Sequence, residues 1–469
     1  MPGRSDRERR FGGTGGPETM MHRKAAVVSF LVFITLIVSG GLFPSETQAL
    51  PPVERTVLPN ELVVLFFEEH STPIVTLQLL FDAGSWRDPP GQEGLANLTA
   101  GSILLGTEEQ DDRALNRELD FLGTSLASFC DKDLAALTMQ SLRKNLEGSF
   151  RLLMRVVTKA SFPEAQFLAE KRKIAGEIKS DEDDPEKIAE QAFDRELYLS
   201  SPYGSPVKGT EATLSAISRD AAVRFHRDYY VPGNAILVIG GDITMDEVKR
   251  LLVPELLKWS GGAVPKADRP TVFAGAARTV GIDKDVSQAS ILLGNAGMER
   301  SNKDYSAFSV MNYILGHSNF TSRLMSEIRI KRGLAYSVFS MMVPRKLPGA
   351  FEIGLQTKNA SAREAISLVL GELERIRGEP VSEGELELAK KALIGSFAIR
   401  YSTQKEIAKF YSLIEYFGLG LDYPERYPSL INSVTREDVL RVANKYLHPD
   451  NYVLVIVGNL KEAAIGENK

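Results

Sequence analysis

The chain contains a single cysteine, Cys130, in 469 residues. No disulfide can therefore close within it, and no cysteine-based metal centre can be assembled. With no histidine nearby to activate the thiol, Cys130 reads as a small buried hydrophobe. Histidine is nearly as scarce, with five in all. His70, His226, His317 and His448 lie far apart, and none has a second histidine or an acid at metal-ligand spacing. His226 and His448 flank a repeated unit and are expected to be structural. There is no P-loop, no GxSxG elbow and no dinucleotide fingerprint. The acidic run Glu182–Asp184 lacks the alternating ligands and glycine of a calcium loop, and reads as a solvated helix end. Net charge is only −5, which gives no reason to expect nucleic acid or an anionic membrane as partner. What is present is ordinary globular composition, 43% hydrophobic and 25% charged, in a chain long enough for two or three domains.

The N-terminus reads as a targeting segment. Residues 1–24 are basic and glycine-rich, an uncharged run follows over Ala25–Ser45, and Thr47-Gln48-Ala49 offers a small-x-Ala cleavage site. That is the arrangement of a secretory signal peptide over residues 1–49. The long basic region points to a start at Met20 or Met21. The alternative is an uncleaved anchor, since about 20 apolar residues span a bilayer. No cysteine stands at the cleavage site, so a bacterial lipoprotein is excluded. Export is expected either way, most simply to a periplasm.

Along the mature chain, Glu61–Phe67 and Ile74–Phe81 read as strands joined by a polar turn. Helical spacing marks Arg113–Leu122, Leu142–Ala160, Glu164–Ser180 and Glu186–Leu199. An internal repeat then sets the architecture. Tyr229-x-x-Pro232-x-Asn234-x-x-Leu237-Val238-Ile239-x-Gly241 recurs as Tyr446-x-x-Pro449-x-Asn451-x-x-Leu454-Val455-Ile456-x-Gly458, an offset of 217 residues. Upstream, residues 217–230 and 434–447 match as an Arg-bearing first turn feeding a helix. The unit is helix, Pro/Asn turn, buried strand and glycine stop. Its period is too long for a solenoid, so the chain is expected to hold two similar α+β domains. These are residues 50–258 and 271–465, joined by a Pro/Gly-containing linker, 259–270. In the second, Thr271–Asp283 and Ser287–Leu293 read as strands, Asp304–Leu315 as a helix, and 322–340 as a helix broken at Gly333 and running into a strand. Val381–Tyr401 opens with the capping-box pattern Ser382-x-x-Glu385.

The stretch Gly94–Thr107 (GLANLTAGSILLGT) follows a strand and a turn-rich bend, and its apolar positions suit a buried helix. This order of strand, Gly-Ser bend, buried helix and Gly-Thr resembles the opening of the M16 zinc peptidases (pitrilysin, insulin-degrading enzyme, mitochondrial processing peptidase). The two-fold repeat and SRL…R-x-K-R-G-L-A-Y extend the resemblance over about residues 55–460. It implies two M16/LuxS-metallohydrolase-like α+β domains pairing around a substrate chamber. In that family the helix carries H-x-x-E-H. Laid on this pattern, the positions are Asn97, Ala100 and Gly101, and all three donors are replaced. An amide is a poor zinc ligand, alanine cannot act as a base, and glycine has no side chain. The glycine also costs about 1 kcal/mol of helix propensity. Glu177, 76 residues after Gly101, matches the family's third ligand, but one carboxylate cannot hold zinc. It is expected to be a solvated or salt-bridged relic.

Arg329 and Tyr336 match an Arg/Tyr pair, seven residues apart, that active members of the family use on the substrate backbone from the domain facing the zinc. A guanidinium and a phenol are fixed donors able to hold peptide carbonyls and a developing oxyanion. Ile330 departs from the family, which usually has glutamate there. The plainer alternative is a surface arginine and a half-buried strand tyrosine. The resemblance thus implies the zinc-lacking subunit of a heterodimeric M16B-type peptidase, inactive alone. Zinc and H-x-x-E-H would come from a partner subunit, and unfolded peptides would be the substrate. The alternative is an inactive scaffold or binding protein, as in the M16-like core subunits of respiratory complex III.

Overall fold

The computed structural model describes residues 50–266, 273–318 and 320–464. The expected leader (1–49), the end of the expected linker (267–270) and residues 271, 272 and 465 of the expected second domain lie outside the described residues.

Two mixed sheets organise the chain. In the first, β1 (Glu54–Val57), β2 (Val63–Glu68), β3 (Ile74–Phe81), β4 (Ser125–Cys130), β5 (Ala135–Leu142) and β6 (Ala235–Gly241) lie in the order β1-β2-β6-β3-β5-β4. The successive strands β2 and β3 do not pair with each other. β6 lies between them, parallel to β2 and antiparallel to β3. Its run AILVIGG is apolar throughout and almost wholly buried, as a central strand covered on both faces requires.

The second sheet holds β7 (Arg278–Asp283), β8 (Gln288–Ala296), β9 (Ala335–Val343), β10 (Ala350–Lys358) and β11 (Val453–Gly458), in the order β7-β11-β8-β10-β9. Again the first strand runs parallel to the last, and the last runs antiparallel to the second. The two sheets share one connectivity, with β1 as the sole addition, which is the fold that the repeat implies. Strand β7 begins at Arg278 rather than near Thr271, because Phe273–Ala277 leave the sheet.

The repeated arginines show why the repeat extends upstream of the strand. Arg219 donates from Nε to the Phe162 carbonyl (2.5 Å) and from Nη2 to that of Ser161 (2.7 Å). Arg436, its counterpart, donates from Nε to the Val381 carbonyl (2.5 Å). Each arginine pins the helix it opens to the carbonyls just ahead of another helix, Glu164–Asp181 in one half and Glu383–Ile399 in the other. The box begun by Ser382 closes as its spacing predicts, with the Glu385 side chain on the Ser382 backbone N–H (2.9 Å).

The two halves are interlocked. Helix Pro185–Tyr198 of the first half lies on β8 and β11 of the second sheet, and helix Gln404–Tyr416 of the second half lies on β3 and β6 of the first. Shifting the first helix by 217 residues lands it on the second, so the halves exchange equivalent helices. Phe193, Leu197 and Tyr198 pack with Leu292, Val453, Val455 and Val457. Leu413 and Tyr416 pack on Leu80, Leu134 and Ala136.

Polar groups fasten the same junction. Lys346, in the β9–β10 turn, donates from Nζ to Asp82 Oδ2 (2.6 Å), and Tyr416 donates its hydroxyl to Asp82 Oδ1 (3.1 Å). Asp133 accepts from the Tyr203 hydroxyl and from the Lys346 backbone N–H (3.3 Å). Burial pushes the Asp133 carboxyl up to about 6, although Arg345 and Tyr203 pull the other way. Among the described residues, no helix is long and apolar enough to cross a membrane.

Asp304 does for the second half what Asp133 does for the junction, with the opposite sign. Its carboxyl is 4% exposed and accepts from Arg441 Nη1 (2.8 Å), Lys445 Nζ (2.7 Å) and the Tyr446 hydroxyl (2.9 Å). Burial alone would raise it, but these donors hold it down to about 2. A depressed carboxylate stabilises the fold above its unfolded value, and that contribution disappears as pH falls through the folded one. Asp304→Asn should therefore cost about 2–3 kcal/mol at pH 7. In urea unfolding at a series of pH values, the gap between variant and wild type should close between about pH 4 and pH 2.

Candidate functional site

The helix that would carry zinc in an active peptidase is Leu95–Ser102. Gly94 precedes it at φ 102°, a left-handed conformation that glycine adopts without strain. Asp88 caps it with both carboxylate oxygens, one on the Gly94 N–H (2.8 Å) and one on the Ala96 N–H (2.8 Å). The helix is thus built and anchored with care; only its donors are gone. Ala100 is buried, Asn97 is half-buried, and Gly101 faces helix Glu164–Asp181. A Cβ on Gly101 would stand 2.8 Å from Oε1 of Glu170, so the Glu170 carboxylate occupies the space of the missing side chain.

Glu177 is 42% exposed and lies 3.5 Å from Lys208 Nζ, which also bonds Asp181 (2.9 Å). Among the described residues, no group of three His, Cys, Asp or Glu side chains could hold a metal ion. An amide, two side chains without donors and a lysine beside the remaining carboxylate do not fit zinc.

His226 sits as a structural residue does. His226 bonds the Val157 carbonyl (2.9 Å) and packs against Phe162 and Tyr230, and burial lowers it to about 4. His70 meets one acid distant in sequence, Asp242, and one two residues away, Glu68. It lies 2.7 Å from Asp242 and 3.3 Å from Glu68, at the surface. Cys130 bonds the Asp131 carbonyl through its thiol (3.5 Å), and burial raises it well above the usual thiol range.

Arg329 and Tyr336 are brought together in the second half. Residues Met325–Ile330 wind as a π-type turn rather than the regular helix expected there, a form frequent at functional sites. Gly333, at φ 64°, ends it, and the N–H groups of Gly333 and Leu334 return to the Arg329 and Ile328 carbonyls (2.9 Å each). The chain then enters β9, the edge strand, at Ala335.

The Arg329 guanidinium carbon lies 4.7 Å from the centre of the Tyr336 ring and 5.7 Å from that of Phe320. Lys331 and Arg332 are both engaged by Glu327, the latter at 2.6 Å. Among the described residues Arg329 has no carboxylate partner and Tyr336 has no hydrogen bond. Tyr336 is 82% exposed, not half-buried, and Phe320 and Ile330 are exposed beside it. The result is one half-buried cation against aromatic faces, next to an exposed phenol.

Sequence reasoning missed three participants. Glu170 stands seven residues before Glu177, two helical turns, so its shared face was legible in the spacing. Asp88 was hidden because a cap across six residues has no sequence signature. Phe320 carried no signal at all.

The chain has two equivalent mixed sheets, a helix at the peptidase position without zinc donors at Asn97, Ala100 and Gly101, and a separate Arg/Tyr pair. Residues 63–211 match the model described as Insulinase (Peptidase family M16), and residues 216–393 match that of the Peptidase M16 inactive domain. The chain belongs to peptidase family M16. The crystal structure of a peptidase M16 inactive domain from Pseudomonas fluorescens superposes with a TM-score of 0.82 at 27% identity, covering 89% of this chain and 99% of that one. A Rickettsia bellii protein named an uncharacterized zinc protease is 24% identical over 396 residues, 83% of this chain and 93% of its own. A Helicobacter pylori protein named "Non-peptidase homolog YmxG" is 24% identical over 441 residues, 92% of this chain and 99% of its own.

Proposed function

We propose that this chain is the zinc-lacking half of a heterodimeric M16B-type peptidase, exported to the periplasm, and that it supplies Arg329 and Tyr336 in trans to peptides held at a partner's zinc. The observation that carries the reading is the state of the pair. Among the described residues Arg329 keeps no carboxylate of its own, while both neighbouring cations share Glu327. Tyr336 turns its phenol to solvent at the start of an edge strand. In the complex, the partner would bring the zinc and H-x-x-E-H, and this chain would hold the carbonyl oxygen and backbone of an unfolded peptide.

The second reading, an inactive peptidase-like scaffold, is favoured by the name given to the Helicobacter relative. One experiment separates the two. The purified chain is expected to hold no stoichiometric zinc and to cleave no peptide, because Asn97, Ala100 and Gly101 offer no donors. Adding an H-x-x-E-H subunit that binds it is expected to give cleavage well above that subunit alone. One tightly bound zinc per chain by metal analysis would refute the first expectation. A partner equally active with and without this chain would leave the scaffold reading in place.

A further inference from the structure

Where the two halves meet, a cavity of about 330 Å³ lies between the first sheet and helix Gln404–Tyr416. Small-molecule sites have this size and gather at junctions of this kind. Its sides are apolar, formed by Leu80 and Ala136 of the sheet and by Leu413 and Phe417. Its charged residues divide between two ends.

One end is acidic. The Tyr416 hydroxyl marks it, 3.2 Å from the Asp133 carbonyl oxygen. Arg345 stands there too, and is matched by the Asp133 carboxylate (3.8 Å). Asp131 is not matched. One of its oxygens accepts from the N–H groups of Asp133 and Leu134 (2.8 Å each), and among the described residues it has no ion-pair partner.

The other end is basic. Lys409 precedes Tyr416 by two helical turns, so it shares that face of the helix about 10 Å along the axis. It is exposed and has no ion-pair partner among the described residues. Neither has Arg300, whose guanidinium lies over the rings of Tyr305 (3.9 Å) and Tyr423 (5.2 Å). Tyr401 lines this end, stacked on Phe410 with 3.9 Å between ring centres and lying in the field of Arg300. On the sheet side Gln78 adds a donor. It is 5% exposed and its carbonyl oxygen accepts from the Thr138 hydroxyl (2.5 Å), but its amide N–H groups have no partner among the described residues. A buried donor left unpaired is costly, and here it lines the cavity.

We propose that this cavity binds a free apolar peptide of about three residues, with its carboxylate at Lys409 and Arg300 and its ammonium group at Asp131. An extended chain covers about 3.3–3.6 Å per residue, so three residues bridge the two ends. Gln78 donates to one of the peptide carbonyls, and the apolar sides take the central side chain. An internal segment of a longer chain has no terminal charges to offer at this spacing. The site goes beyond the trans role, since neither Arg329 nor Tyr336 lines it.

Titration calorimetry of the full chain with Ala-Leu-Ala is the test. Acetylating the amine or amidating the carboxylate of the peptide should each weaken binding about tenfold or more, the effect of losing one hydrogen bond to a charged group. The dipeptide Ala-Leu, too short to reach both ends, should be weaker by a similar factor. Lys409→Met should shrink the preference for the free carboxylate over the amide and leave the preference for the free amine intact. Asp131→Asn should do the reverse. Both variants should fold, because Lys409 is exposed and an amide at position 131 still accepts from the two N–H groups; thermal unfolding checks this. Bound peptide should also raise the unfolding temperature of the wild type, since it ties Asp131 of the first half to Lys409 of the second. No binding at millimolar peptide, or binding indifferent to both blocking groups, would overturn the proposal. So would folded variants that keep both preferences of the wild type.

Discussion

Tyr336→Phe is expected to lower peptide turnover of the mixed complex by about 10²–10³, with pairing and folding unchanged. The magnitude follows from losing one donor aimed at a developing oxyanion, about 2.7–4 kcal/mol. Folding should be insensitive because the side chain is 82% exposed and its hydroxyl bonds nothing among the described residues. Arg329→Ala should cost at least as much, since a charged donor is lost. Phe320→Leu should give a smaller, few-fold loss, because it removes only one of the two aromatic faces beside the guanidinium, about 0.5–1 kcal/mol at an exposed site. Steady-state cleavage assays, with pairing checked by gel filtration, would read all three. A loss of turnover that merely tracked loss of pairing would count against the role in chemistry.

Phe193→Ala is expected to destabilise the protein by about 3–5 kcal/mol, the usual range for emptying a fully buried phenylalanine site. Phe193 is 1% exposed and belongs to the first half, yet its ring packs on Gly294 of the second sheet. A Cβ at Gly294 would lie 2.9 Å from its ring. Because each half lends a helix to the other's sheet, neither sheet keeps both faces covered when the other unfolds. Urea unfolding should therefore be one cooperative transition followed alike by fluorescence and circular dichroism, shifted as a whole in the variant. Two separated transitions, or a loss below about 1 kcal/mol, would show that the exchanged helix is not what couples the halves.

The repeat made the doubled sheet legible. Seven identities at fixed spacing recorded the closing helix, the turn and the central strand twice, and Arg219 and Arg436 then took equivalent carbonyls in space. The exchange of helices was not legible. Pro185–Tyr198 shows an apolar side in sequence, but nothing in that pattern says which sheet it will cover. The order of strands hid for a similar reason. β2 and β3 are neighbours in sequence, and the strand that separates them arrives more than 150 residues later. At the site, the missing donors at Asn97, Ala100 and Gly101 were readable because chemistry excludes them one by one. Glu170 in the place of the Gly101 side chain was not, since it depends on how two helices pack. The spacing of Arg329 and Tyr336 was readable; the engagement of both Lys331 and Arg332 by Glu327, which leaves Arg329 open, was a matter of rotamers.

The most direct test of the central claim compares three samples of the zinc-bearing partner: alone, with the wild-type chain, and with the chain carrying Arg329→Ala and Tyr336→Phe together. Peptide cleavage should be low alone, high with the wild type, and close to the partner-alone level with the double variant, although that complex elutes intact. Full activity from an intact complex carrying both substitutions would contradict the account and leave this chain a scaffold.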